Sequence, residues 1–287
     1  MSGAAPIRLL HLYPDLLNLY GENGNVRVLA AALRSAGAEV EVSRLSLGDH
    51  LDLMDAALVY IGCGTEHNQL LALRHLGGFR QELVDYLGRG GLFLATGNAG
   101  DLFGSEIREV DGTSIPALGL FEHSSARLGK REVGEVLFRY GDNYLVGFQN
   151  RGSRIACELG GGEALHPLFT VEKGYPTDFG PAGGGNQPGG MKLMEGFVSG
   201  GFICTSVLGL LSRNPVVLAC LCDMLMAGDA FAREGSDSVV GRSEERRFSP
   251  ELYTTSDVGR YNLALDIVAF EAFLSHHHTI FANVTRR

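Results

Sequence analysis

A buried strand that runs into a glycine turn is the feature that most constrains the fold of this chain. Residues 91–96 are mostly apolar, and the turn Gly97-Asn98-Ala99-Gly100 follows directly, ahead of a predicted helix. This order predicts the sharp strand-to-helix turn on which many α/β enzymes present a Ser or Cys nucleophile. None of the four turn residues can attack a carbonyl group. The segment therefore predicts the scaffold of a covalent catalyst without its nucleophile.

The segments around this turn predict an α/β fold with a mostly parallel sheet flanked by helices. Their order is β-α-β-β-α-β, and several strands are apolar along their whole length, as in strands buried on both faces. Ligands in such sheets bind beyond the carboxyl ends of the strands. The loops at 62–69 and 97–101 are therefore the predicted walls of a site. The predicted strands cover residues 7–13, 39–45, 55–61 and 91–96, and the predicted helices cover 25–36 and 68–87.

The second half of the chain changes character. Residues 133–138 and 144–148 predict a hairpin, 173–190 predict a Gly- and Pro-rich loop, and Asn214-Pro215 predicts the start of a helix that ends near residue 227. We predict one domain over residues 1–227. Residues 228–287 are predicted to form a polar linker and a C-terminal helix over about 251–278.

Charge and cysteine content exclude several functional classes. The formal net charge is −9, and nucleic-acid binding needs a concentrated basic surface instead. No apolar run reaches the roughly 18 residues of a membrane span, and the N-terminus lacks the pattern of a secretory signal. The five cysteines are an odd number in mostly apolar settings, which favours reduced thiols and a cytoplasmic location.

No metal or cofactor is predicted. The run His276-His277-His278 points in several directions on a helix, so an exposed helix end is favoured over a metal site. The pair Cys220 and Cys222 stands alone, without the further ligands that a zinc site needs.

Four segments carry a recognisable set of motifs. They are the Asn-Leu-Tyr and Gly-Asn loop at 12–25, the glycine loop at 61–69, the Gly-Phe-Gln-Asn segment at 147–154, and the Leu-Leu-Ser-Arg-Asn-Pro segment at 210–215. Together they resemble the class I glutamine amidotransferases of the cobyric acid synthase type. The likeness is strongest to the branch that contains the amidotransferase subunits of lipid II isoglutaminyl synthases, and it covers roughly residues 7–225.

The resemblance implies a known chemistry. In this family a Cys thiolate attacks the side-chain amide of glutamine while a His shuttles the proton, and a glycine loop helps to hold the oxyanion. The ammonia passes to a partner, here by resemblance a Mur-ligase-like, ATP-dependent synthetase subunit. The family's Cys falls on Gly97 and its His on Val207, so both members of the dyad are missing. The predicted substrate-binding residues, for glutamine or a similar small molecule, are Gly62, Gly64, Gln69, Gly97, Asn98, Arg131 and Asn150.

Three functional hypotheses follow. The leading one is a degenerate amidotransferase-like subunit that pairs with the synthetase in lipid II amidation or a related pathway without hydrolysing glutamine. The second is an active glutaminase with relocated chemistry at Cys63, although Cys63 also suits a small apolar filler where the family has Gly. The third is a stand-alone small-molecule binding module. Other residues with two interpretations are Asp101 (helix cap or catalytic group), Arg151 and Arg154 (ligand carboxylate or solvated loop), His67 (solvent-exposed or activating) and Cys204 (core or reactive).

Overall fold

A computed structural model describes residues 5–157, 165–180 and 193–233, and within them one twelve-stranded sheet dominates the architecture. The strands are β1 (Ile7–Leu12), β2 (Val40–Leu45), β3 (Leu58–Ile61), β4 (Leu92–Thr96), β5 (Glu106–Arg108), β6 (Ser114–Pro116), β7 (His123–Tyr140), β8 (Asn143–Cys157), β9 (His166–Lys173), β10 (Asp178–Phe179), β11 (Met194–Ser199) and β12 (Phe202–Thr205). The α-helices are α1 (Asn23–Ser35), α2 (Glu66–Gly77), α3 (Arg80–Gly88), α4 (Leu210–Arg213) and α5 (Pro215–Arg233).

The sheet has a parallel half and an antiparallel half. Its order is β10-β8-β7-β9-β11-β12-β4-β3-β1-β2, with β5 and β6 off this path. Neighbours from β2 to β12 run parallel, whereas β12, β11, β9, β7 and β8 pair antiparallel. The predicted α/β fold with a parallel sheet and flanking helices is confirmed, and the antiparallel half extends it.

The two faces of the parallel half bury separate clusters. Along β4, Leu92 and Leu94 belong to the cluster that includes α1 and α5, whereas Phe93 and Ala95 belong to the cluster that includes α2 and α3. Successive side chains of a strand point to opposite faces, so a strand covered on both sides is apolar throughout. This is why the predicted strands lack alternation, and it places their carboxyl ends at one shared edge.

The predicted helix over 68–87 is wrong as a single element. Helix α2 ends at Gly77, Gly78 caps it, and α3 begins at Arg80. A glycine in a helix interior lowers helix stability by about 1 kcal/mol relative to Ala. Two adjacent glycines therefore end the helix there. The segment after β4 also differs from the prediction, because it is a 3₁₀ helix, Gly97–Phe103, and not an α-helix.

Other elements are longer than predicted or were missed. The hairpin is confirmed, but β7 and β8 extend well beyond 133–138 and 144–148. Part of the predicted loop over 173–190 contains β10, and α5 continues past residue 227 to Arg233. Strands β9 and β11 were not predicted. The predicted polar linker beyond Arg233, the helix over 251–278 and the histidine run at 276–278 lie outside the described residues.

The helices in the described ranges do not include one that is both long enough and apolar enough to cross a bilayer. Within the same ranges, His, Cys, Asp and Glu side chains form no group of three that could hold a metal ion.

Candidate functional site

The turn after β4 has the geometry of a nucleophile elbow. Gly97 follows the strand directly and has a φ of +64°, in the left-handed region that favours glycine. All residues of the 3₁₀ helix that begins there are buried. The sharp strand-to-helix turn predicted from the sequence is therefore present, with glycine at the position that would carry the reactive atom.

Cys63 occupies the space that a side chain at position 97 would need. A Cβ atom built on Gly97 would lie 2.5 Å from Cys63 Cβ and 3.0 Å from Cys63 Sγ. Leu208 Cδ2 would lie 3.1 Å away on another side. Real Cβ atoms do not approach carbon within 3 Å, so the elbow has no room for a nucleophile while Cys63 is in place.

The thiol of Cys63 is buried and unactivated. Its side chain is 1% exposed, and its sulfur lies 3.9 Å from the carbonyl oxygen of Gly64. Burial raises the pKa of Cys63 to about 12, although the backbone N–H of Asn98 partly opposes this shift. At neutral pH the group is a protonated thiol, and the thiolate is the nucleophilic form. This environment agrees with the interpretation of Cys63 as an apolar filler.

Asn98 ties the elbow to the glycine loop after β3. Its side-chain oxygen accepts a hydrogen bond from the Gly64 N–H at 3.1 Å, and its side-chain nitrogen donates to the Gly64 carbonyl at 2.9 Å. Gln69, at the start of α2, donates to the Asn98 carbonyl and, at 3.1 Å, to Asp101 Oδ2. The predicted residues Gly64, Gln69 and Asn98 thus form one connected cluster.

The glycines of that loop are required by close packing. A Cβ on Gly62 would lie 2.7 Å from the Leu17 carbonyl oxygen, and one on Gly64 would lie 2.3 Å from Leu17 Cδ2. The loop therefore packs directly against the segment that follows β1. Between the two glycines, Cys63 projects its side chain toward Gly97.

Asp101 is neither a simple cap nor an isolated acid. Its carboxylate accepts a hydrogen bond from Ser153 Oγ at 2.5 Å and forms an ion pair with Arg127 at 3.4 Å. Arg127 NH2 also donates to Gln69 Oε1 at 2.6 Å. Both charged side chains are at most 5% exposed. The sequence analysis missed Arg127, which lies on β7 outside the predicted hairpin strands, so no local signal indicated it.

Arg131 and Asn150 form a second cluster at the rim. Arg131 donates to Asn150 Oδ1 and to Glu66 Oε1, both at 2.7 Å, and Asn150 donates to the Tyr20 hydroxyl at 2.6 Å. Tyr20 is exposed and has a φ of +64°, which is unusual for a residue with a side chain. The structure brings these two predicted residues together, but in a cluster separate from Asn98.

The remaining candidates have roles within the chain itself. Arg151 and Arg154 both pair with Glu132, and Arg151 is buried, so neither is the solvated loop residue considered from the sequence. His67 is exposed, and Cys204 is buried in β12.

Val207 lies in the core beside the hairpin. It is 1% exposed, and a Cβ on Gly147 would lie 2.3 Å from its Cγ1 atom. The following residue, Leu208, donates its N–H to the Phe148 carbonyl at 2.8 Å. The segment predicted to align with the family's His thus runs beside the elbow, and its residues Val207 and Leu208 are apolar.

Two buried carboxyl groups flank the elbow and were missed from the sequence. Glu22 accepts hydrogen bonds from the Thr96 hydroxyl, from the Tyr60 hydroxyl at 3.1 Å and from the Gly209 N–H at 2.8 Å, and burial raises its pKa. The sequence did offer one indication of Glu22, because this residue lies in the Gly-Glu-Asn-Gly-Asn part of the loop that resembles the family. This network fixes Thr96, the residue that precedes the elbow.

Glu195 is the second buried carboxyl group. It accepts hydrogen bonds from the Thr205 and Ser206 hydroxyls at 2.7 Å, and burial raises its pKa. It borders a small cavity next to Gly97 and Asn98. The cavity volume is about 10 Å³, which is about what one water molecule needs. In this conformation the cavity does not admit a ligand of amino-acid size.

An α/β sheet with a glycine turn after β4 and a glycine loop beside it is the arrangement of the α/β proteins that carry a nucleophile elbow, here with Gly97 at the turn. Residues 8–187 match the CobB/CobQ-like glutamine amidotransferase domain, and the chain belongs to this family.

Among curated proteins, the chain is similar to two lipid II isoglutaminyl synthase (glutamine-hydrolysing) subunits GatD. It is 28% identical over 151 residues to the one from Streptococcus pneumoniae and 25% identical over 158 residues to the one from Staphylococcus aureus. These matches cover 52% and 54% of this chain, and they span 58% and 64% of the two relatives. Among solved structures, a glutamine amidotransferase from Thermotoga maritima is 14% identical with a TM-score of 0.44, over 92% of this chain and 97% of that one.

Proposed function

We propose that this chain is an amidotransferase-like subunit that does not hydrolyse glutamine. The observation that carries the proposal is the packing at the elbow, where Cys63 fills the volume that a side chain on Gly97 would take. Val207, at the position of the family's His, is a second support, because an isopropyl group cannot transfer protons. Loss of both groups removes the covalent route, whatever binding remains.

The partner we propose is a Mur-ligase-like, ATP-dependent enzyme that forms an amide. Its support is the similarity to two proteins that are each named as a subunit of a lipid II isoglutaminyl synthase. A subunit without chemistry of its own can still act in a complex by binding the partner. We therefore propose cell-wall lipid II amidation, or a related amidation, as the setting of that complex.

A nucleophile relocated to Cys63 is the outcome that competes with this proposal. It needs a thiolate, and the pKa of Cys63, raised to about 12 by burial, opposes one. It also needs access for glutamine, whereas Cys63 is almost fully buried.

The test measures glutamate release from glutamine by the full chain, alone and together with the Mur-ligase-like protein and ATP. A glutamine-hydrolysing relative serves as the positive control. We expect no release above the blank in either condition, and we expect the two proteins to co-elute in size-exclusion chromatography. Release that the Cys63→Ala variant abolishes would establish the relocated nucleophile instead. Failure of the two proteins to associate would remove the proposed partner.

A further inference from the structure

The contact between Asn98 and Gly64 has a chemical meaning beyond packing. The carboxamide of Asn98 uses its oxygen for the Gly64 N–H and its nitrogen for the Gly64 carbonyl. Since the two contacts need opposite atom types, only one orientation of the amide satisfies both. Asn98 is 7% exposed, so the interaction is shielded from competing water.

An oxyanion hole on a nucleophile elbow would use two backbone N–H groups that can be named in this chain. Such a hole uses the N–H of the residue after the nucleophile and an N–H from the loop that follows a neighbouring strand. Here the first is the N–H of Asn98, and the second is the N–H of Gly64 in the loop between β3 and α2. The second is already engaged, since the Gly64 N–H bonds to the Asn98 side chain.

We propose that the Asn98 side chain is an internal occupant of an amide-binding site, held by Gly64 in the way that a primary amide ligand such as glutamine would be held. The inference rests on the proposed function and specifies how this same site is kept closed. The occupant and the excluded ligand carry the same functional group. Removing the carboxamide of Asn98 therefore frees one N–H and one carbonyl group with the spacing that a primary amide satisfies.

The chain contains a matched contact outside the site. Asn214 accepts from the Val146 N–H and donates to the Val146 carbonyl, both at 2.8 Å, and it is also buried. It shows that a carboxamide paired with both groups of one residue also serves as a structural clamp. Replacement of either asparagine is expected to lower stability. Only replacement of Asn98 is expected to create a site that binds an amide.

The experiment follows the Gly64 amide by NMR in the full chain during titration with glutamine and, separately, with propionamide. In the unmodified chain we expect slow hydrogen exchange at Gly64 and no shift with either amide. In Asn98→Ala we expect exchange to be faster by about tenfold or more, as for an opened amide, and a saturable shift with propionamide, the smaller of the two amides. In Asn214→Ala we expect reduced stability and no shift at Gly64.

Several outcomes overturn the inference. It fails if the unmodified chain already shows a saturable shift at Gly64, or if Asn98→Ala folds and binds neither amide. Should Asn98→Ala not fold, Asn98→Ser removes the carboxamide with a smaller loss of volume, and the same titration decides. Glutamate release by the unmodified chain would defeat the proposed function. Ligand binding by Asn98→Ala without glutamate release would support both the inference about Asn98 and the proposed function.

Discussion

At the scale of single residues, a side chain at position 97 would overlap the volume that Cys63 fills, and the energetic cost of this overlap can be measured. We expect Gly97→Ala to lower the free energy of unfolding by about 3 kcal/mol, because a side chain at positive φ costs about 1 kcal/mol and overpacking adds about 1–3 kcal/mol. Urea unfolding measures this change. Gly119→Ala is the matched control, since Gly119 has a φ of +61° with open space around it. Equal losses in the two variants would contradict the shared volume.

The double variant isolates the packing contribution. Cys63→Gly removes the atoms that a Cβ at position 97 would meet, so Cys63→Gly/Gly97→Ala should retain the backbone cost and lose the clash. We expect a coupling energy of about 1–2 kcal/mol between the two positions, within the range that residues in contact show. Strict additivity of the two single changes would rule out the coupling.

A second pair of residues is buried as an ion pair. Arg127 and Asp101 lie 3.4 Å apart with almost no exposure. Removing one partner leaves the other charge buried and uncompensated, so we expect Arg127→Met to cost about 3–5 kcal/mol. Arg108→Met, which disrupts an exposed pair with Glu106, should cost less than 1 kcal/mol. Chemical unfolding of both variants checks the contrast, and similar costs would count against a buried network at the elbow.

The sequence was informative where a residue's role depends on its own segment. The glycine at the elbow is visible in a short motif, and so is the glycine loop at 62–64. The contacts that close the site are not, because they join separate parts of the chain, as Gly64 and Asn98 do across the sheet edge. Arg127 was missed for the same reason, since its partners come from α2 and from the turn after β4.

At the scale of elements, the start of α2 joins local structure to the site. Thr65 caps this helix, with its hydroxyl oxygen accepting the Asn68 N–H at 3.2 Å. We expect Thr65→Ala to cost about 1 kcal/mol, since an unpaired N–H remains at the helix start. Thr65→Ser keeps the hydroxyl oxygen, so it should lower the free energy of unfolding by only a few tenths of 1 kcal/mol. Thermal unfolding compares the two, and equal losses would show that the methyl group, and not the cap, stabilises the start.

Elements with a strong local signal were predicted well, and elements set by distant pairing were not. The apolar strands of the parallel half and the hairpin around residues 141–143 follow from local pattern and turn residues. Strand β11 was missed although it pairs with β12 across the two-residue turn Gly200-Gly201, a local hairpin signal. Strand β9 pairs with β7 and β11 across longer connections. No local pattern specifies such pairing. The division of α2 from α3 was predictable from Gly77 and Gly78, whose combined cost outweighs the apolar spacing.

At the scale of the whole molecule, buried histidines set how stability responds to acid. Burial lowers the pKa of both His11 and His123 from 6.5 to about 4. Between these values the unfolded chain binds protons that the folded chain does not, so stability falls as the pH drops from about 6.5 toward 4. Each group contributes at most about 3 kcal/mol across this window and nothing above it.

The His11→Phe variant separates this contribution from the others. His11 packs edge-on against Tyr60, with ring centroids 5.2 Å apart, and a phenyl ring can keep that contact without titrating. Glu22 and Glu195, whose pKa values burial raises, act in the opposite direction in both proteins and cancel in the difference. Urea unfolding from about pH 7 to about pH 5 should show a smaller loss of stability in His11→Phe than in the unmodified chain. Identical pH profiles would mean that His11 takes up its proton in the folded chain as readily as in the unfolded one.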